Sequence, residues 1–75
     1  MSVDYIRKSY MVPAKVGGRV RYFGGKEPAI GTIIGAEGAH LKIRLADTKR
    51  AQPFHPTWKI DYLDERGEVI WRSPS

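Results

Sequence analysis

Seven of the chain's eight glycines fall between residues 17 and 38, in the stretch GGRVRYFGGKEPAIGTIIGAEG. Two architectures use glycine at this density. One is a phosphate-cradling loop, the other a set of tight corners in a small β-barrel. A Walker A loop needs Gly-x-x-x-x-Gly-Lys-Ser/Thr leading into a helix. Here Gly25-Lys26 is followed by Glu27 and Pro28, and position 20 is valine. The dinucleotide spacing Gly-x-Gly-x-x-Gly is absent as well. The glycines therefore predict corners.

The residues between them agree. Short runs alternate polar and apolar side chains and are separated by turn residues, the pattern of an all-β chain. Arg19-Val20-Arg21-Tyr22 points Val20 and Tyr22 inward and Arg19 and Arg21 outward. Ile30 to Ala36 is the next strand, with Gly31, Ile33 and Gly35 on one face, where something packs close or the strand bends. Gly38 turns a hairpin into His40–Leu45, whose Leu41, Ile43 and Leu45 face in while His40, Lys42 and Arg44 face out. Asp47-Thr48-Lys49-Arg50 makes the next turn. Ala51 to His55 carries Pro53 and is expected at a sheet edge. His55-Pro56-Thr57-Trp58 is a tight turn or a single helical turn. Lys59–Leu63 and Glu68–Trp71 form a C-terminal hairpin around Asp64-Glu65-Arg66-Gly67, with Gly67 left-handed. Tyr10-Met11-Val12 is a candidate first strand. Tyr22, Trp58 and Tyr62 are expected in the core.

The expectation is an all-β fold, a small barrel of five to six short antiparallel strands with a C-terminal hairpin. The single domain spans 10–72, after a flexible segment over 1–9 and before a frayed tail at 73–75. Seventy-five residues bury only ~60% of the unfolded surface. With no cysteine to form disulfides or thiolate zinc sites, compact strands or a homo-oligomer must supply stability. A cysteine-free chain fits a reducing, cytoplasmic setting. No apolar run approaches the ~18 residues of a membrane span, so no membrane partner is expected.

The net charge is +5 and unevenly spread: +5 over residues 1–26, +2 over 27–59 and −2 over 60–75. A basic body with an acidic end predicts one positive face that attracts polyanions. Arg19, Arg21, Lys42, Arg44, Lys49 and Arg50 are its candidates, tracking a phosphate backbone. Phe23, Phe54 and Trp58 offer faces for unpaired bases. The rival is a protein-binding module using Phe54, His55 and Trp58 beside the proline-broken edge. Catalysis, metal and cofactor are not expected. Asp61, Asp64, Glu65 and Glu68, the only acidic cluster, flank a turn. His40 and His55 are the only histidines and lack a nearby carboxylate set.

Lys15–Tyr22, then Gly31-Thr32-Ile33-Ile34-Gly35, then Leu41–Leu45, resemble the SH3-like barrels of the KOW and Tudor type, over roughly residues 12–63. The KOW resemblance implies RNA or ribosomal and transcription partners. The Tudor resemblance implies methylated peptides held in an aromatic cage. The Gly24–Pro28 loop and Phe54–Trp58 depart from both patterns. Small basic barrels of this sort are also similar to accessory proteins of phages and other mobile elements. Gly17–Arg21 and Gly31–Gly35 further resemble the plasmid-borne type II dihydrofolate reductases, whose pore carries a Val-Gln-Ile-Tyr run. Ala51-Gln52-Pro53-Phe54 keeps only the glutamine there, so the reductase chemistry does not carry over.

Overall fold

The structure, a computed structural model, describes residues 2–46 and 48–73. One helix precedes six strands: α1 (Val3–Tyr10), β1 (Arg19–Tyr22), β2 (Ala29–Glu37), β3 (His40–Leu45), β4 (Gln52–Phe54), β5 (Ile60–Leu63) and β6 (Val69–Trp71). All pairings are antiparallel, in the order β4-β3-β2-β1-β5-β6. The antiparallel sheet and the C-terminal β5–β6 hairpin are as the alternation predicts. Asp47, in the expected β3–β4 turn, lies outside the described residues, as do Pro74 and Ser75 of the expected tail.

The closed barrel is not formed. Among the described residues, β4 and β6 end the sheet and do not pair with each other. The sheet nevertheless curls far enough for side chains of non-adjacent strands to meet. Tyr22 of β1 meets Phe54 of β4 edge to face, ring centroids 4.7 Å apart, although β2 and β3 stand between them in the sheet. Tyr62 of β5 donates its hydroxyl to the Pro56 carbonyl, just past β4, at 2.6 Å. Pro53 supplies no N–H, so β4 is poorly suited to a backbone ladder on both sides.

The segment expected to be flexible over 1–9 contains the helix instead, and Tyr10 and Met11 close that helix rather than open a strand. Ser2 caps it, its hydroxyl accepting the Tyr5 N–H at 3.2 Å. Asp4 sits in the first turn and Arg7 and Lys8 in the last, each suited to the helix dipole. Met11 takes the left-handed conformation, φ 56°, and ends the helix. Eight residues are too few for a helix to persist alone in water. Packing holds this one: Val3 and Ile6 are buried in the core cluster, and α1 lies against β2 and β3.

That core joins Val3, Ile6, Val12 and Ala14 to Val20, Ile33, Leu41, Ile43, Ile60 and Tyr62. The inward alternation of β1 and β3 is as predicted. β2 departs from its expected pattern. Its register to β3 shifts between Ile33 and Gly35, leaving Ile34 as an extra, exposed residue. This bulge reverses the faces beyond it. Ala36 then lies opposite inward Leu41, and Gly35 lies opposite outward Lys42. Gly35 is therefore not on the face of Gly31 and Ile33. Gly31 does meet the close approach expected of it: a Cβ there would stand 2.7 Å from Ile43 Cγ2 and 2.9 Å from Leu45 Cδ2.

The β5–β6 turn is built by Asp64. Its Oδ1 accepts the N–H groups of Arg66 at 2.8 Å and Glu68 at 2.9 Å. Gly67 takes φ 84°, as the turn reading requires.

Candidate functional site

The registers decide which cations share a surface. Arg19 lies opposite Thr32 in the β1–β2 pair, and Thr32 lies opposite Arg44 in the β2–β3 pair. Directly opposed residues point to the same side of a sheet. Arg19, Thr32 and Arg44 therefore form one row across three strands, with the two arginine Cα atoms about 10 Å apart. Lys42 is two residues along β3 from Arg44, on the same face and about 7 Å away.

A groove of about 570 Å³ runs beside this row. Arg19, Arg44 and Lys49 line it, with Ile30, Thr32 and Thr48 among its walls. None of the described residues lining it is a carboxylate. Thr48 steadies the β3–β4 turn that carries Lys49 and Arg50. Its N–H donates to the Leu45 carbonyl at 3.1 Å, and its hydroxyl lies 3.2 Å from the Leu45 and Arg50 carbonyls. Ile30, Thr32 and Thr48 escape a sequence reading, because only the strand register brings them beside the cations.

Arg21 is on the same strand as Arg19 yet stands apart electrically. Its Nη2 donates to Asp61 Oδ2 at 2.8 Å. Asp61 is buried on β5, directly opposite Arg21. A charge removed from water this far needs a partner. Arg21 supplies it, so its charge is already spent within the fold. Phe23 follows β1, half-buried, and gives its N–H to the Lys59 carbonyl at 3.0 Å.

The Phe54–Trp58 segment separates into two environments. Phe54 turns inward onto Tyr22 and the core. Trp58, expected in the core, is 51% exposed, with Lys59 Nζ 5.5 Å from its ring centroid. Lys59, the next residue, takes the left-handed conformation, φ 52°, just before β5 begins. Ser73 ties this turn down: its hydroxyl accepts the Lys59 N–H at 3.1 Å and donates to the Thr57 carbonyl at 2.6 Å. His55 Nδ1 accepts the Thr57 N–H at 3.1 Å. The His55 ring meets Tyr10 and His40 edge-on, with centroids 5.5 Å and 6.2 Å away. Among the described residues no third His, Asp or Glu completes a metal-sized cluster with the two histidines.

Burial raises the Tyr62 hydroxyl well above the ordinary tyrosine range. That tyrosine is a structural strut, bonded to Pro56 and stacked edge-on against Trp71, with ring centroids 5.4 Å apart. Among the described residues no helix is long and apolar enough to cross a membrane. No protein-family model, no curated protein and no solved structure matches this chain.

Proposed function

We propose that this chain binds nucleic acid without catalysing a reaction, docking the phosphate backbone along the outer face of its sheet. The observation that carries the reading is the groove whose described walls hold Arg19, Arg44 and Lys49 and no carboxylate. Lys42 extends the row along β3, and Arg50 stands beside Lys49 on the turn. Arg21, held by Asp61, contributes to the scaffold. Phe23 is the aromatic of this reading, on the expectation that the alternation of Arg19 and Arg21 continues past the end of β1. The fold is read as SH3-like, supported by the contact that draws β4 over β1. A cytoplasmic setting is supported by the absence of cysteine.

Affinity of this kind comes from counterion release, with log K falling by about 0.9 per phosphate contact for each tenfold rise in salt. Three to five contacts predict a loss of about a hundredfold between about 50 mM and 200 mM salt. The test is titration of the isotope-labelled chain with duplex DNA, single-stranded DNA and RNA at both salts, following backbone amide shifts. Shifts at Arg19, Lys42, Arg44, Lys49 and Arg50 that fade with salt support the proposal. An unshifted spectrum with all three polymers at the lower salt overturns it.

A protein partner docking on Trp58 is the second reading. The half-exposed indole favours it, since a large aromatic left in water is typical of an interface anchor. Nuclease-resistant capture of one partner that is lost in Trp58→Ala and retained in Arg44→Ala would favour this reading over the first.

A further inference from the structure

Three outward side chains stand in line on β3. His40, Lys42 and Arg44 are all exposed and alternate with buried Leu41 and Ile43. His40 therefore continues the line of Arg44 and Lys42, about 7 Å beyond Lys42. Its surroundings come from several elements. Glu37 of β2 lies directly opposite His40 and is exposed. The His55 ring, just past β4, meets the His40 ring edge-on, with centroids 6.2 Å apart. From α1, Tyr10 touches His55, with centroids 5.5 Å apart, while Asp4 and Arg7 pair with each other. Lys42 is the nearest charge on β3 itself.

We propose, on the basis of the phosphate-docking reading above, that His40 is a proton-gated member of that basic row, so that acidification strengthens its hold on nucleic acid. Histidine is the side chain that changes charge between about pH 5 and 8. The chain has two histidines and no cysteine. With His40 neutral, the Glu37 carboxylate leaves this end of the row negative and repels phosphate. With His40 charged, the carboxylate is balanced, and the face gains one unit of positive charge toward a polyanion. His55 is held differently. Its Nδ1 accepts the Thr57 N–H at 3.1 Å, so its one hydrogen sits on Nε2. A further proton there would displace the Thr57 N–H and set two cations ring to ring. The gate is therefore a single proton on His40, and His55 stays its neutral neighbour.

Fluorescence anisotropy tests this, with the full chain titrated into labelled mixed-sequence duplex DNA, single-stranded DNA and RNA. Each titration is run at about pH 7.5 and about pH 5.5 over a salt series. At about 50 mM salt, binding should be about three- to tenfold tighter at the lower pH, with a salt slope steeper by about 0.7–0.9. His40→Gln should abolish both changes, and His55→Gln should keep both. His40→Lys should bind at the higher pH as the parent does at the lower. His40 is exposed, so circular dichroism of its variants matches the parent at both pH values. Binding indifferent to pH overturns the gate and leaves the phosphate-docking reading standing. So does a gain that survives in His40→Gln, or one that is lost in His55→Gln. Failure to bind any of the three polymers at either pH overturns the gate and that reading together.

Discussion

Arg21 Nη2 and Asp61 Oδ2 lie 2.8 Å apart and join β1 to β5 through directly opposed residues. Arg19, one turn of the pleat away on the same strand, has no such carboxylate opposite it: its β5 partner is Leu63. Two arginines that look equivalent in Arg19-Val20-Arg21 thus do different work. Arg21→Ala strands a buried carboxylate and is expected to destabilise the fold by about 1–3 kcal/mol, read from the urea midpoint. It should change the salt slope of nucleic-acid binding little. Arg44→Ala should do the reverse, leaving stability within about 0.5 kcal/mol and reducing the slope by about 0.9. Isothermal titration at several salt concentrations beside urea melts separates the two.

Tyr62 makes stability fall at high pH. Its hydroxyl ionises far above the ordinary tyrosine value of 10.0 because the folded chain buries it. Below that value both folded and unfolded chains keep the proton, and the contribution is complete. Above it the unfolded chain releases the proton while the folded chain holds it, so stability declines by about 1.4 kcal/mol per pH unit for this group. Urea midpoints measured on the alkaline side should fall with that slope. Tyr62→Phe should flatten it, while losing the bond to Pro56 and about 1 kcal/mol at neutral pH.

Gly31 and Gly35 both lie in β2 yet should respond oppositely to alanine. A Cβ at Gly31 meets Ile43 and Leu45 inside contact distance and the Arg44 carbonyl at 3.1 Å. Gly31→Ala is expected to destabilise by about 1–3 kcal/mol. At Gly35 no atom stands within 4 Å of the added carbon, and alanine there should gain about 0.5–1 kcal/mol through lower backbone entropy in the unfolded chain. Thermal melts of the two variants make the comparison.

Ile6 is fully buried although it sits in a segment of only eight helical residues. Ile6→Ala should lose about 2–5 kcal/mol, a large share of what a domain of this size has. Hydrogen exchange should show α1 amides protected to the same depth as those of β3. Early exchange confined to α1 would mean that the helix merely rests on the sheet.

The strands were the legible part of the sequence. His40–Leu45 alternates without interruption, and Gly38 and Gly67 mark turns that only a left-handed residue makes easily. The helix was harder to read. Ser2, Asp4, Arg7 and Lys8 occupy the cap and dipole positions, but eight residues carry too little period to outweigh the aromatic and β-branched residues among them. The bulge at Ile34 was hidden for another reason: alternation tells which residues face together only while the count stays even. The site divided in the same way. Outward Arg19, Lys42 and Arg44 follow from alternation. The neutralisation of Arg21 depends on a residue forty positions away, and Trp58 lies between strands, where alternation does not say which side chains face in.

The extra residue in β2 has a consequence for how such a chain can diversify. Ile34 projects from the bulge into solvent, so many side chains should serve there equally well. Its removal is another matter. Without it, every position from Gly35 to Gly38 would change sides, carrying Ala36 away from Leu41 and the hairpin out of step with β3. Position 34 is therefore free in identity and fixed in number. Drift can respell this residue at will, but an alignment gap here would mark a different fold.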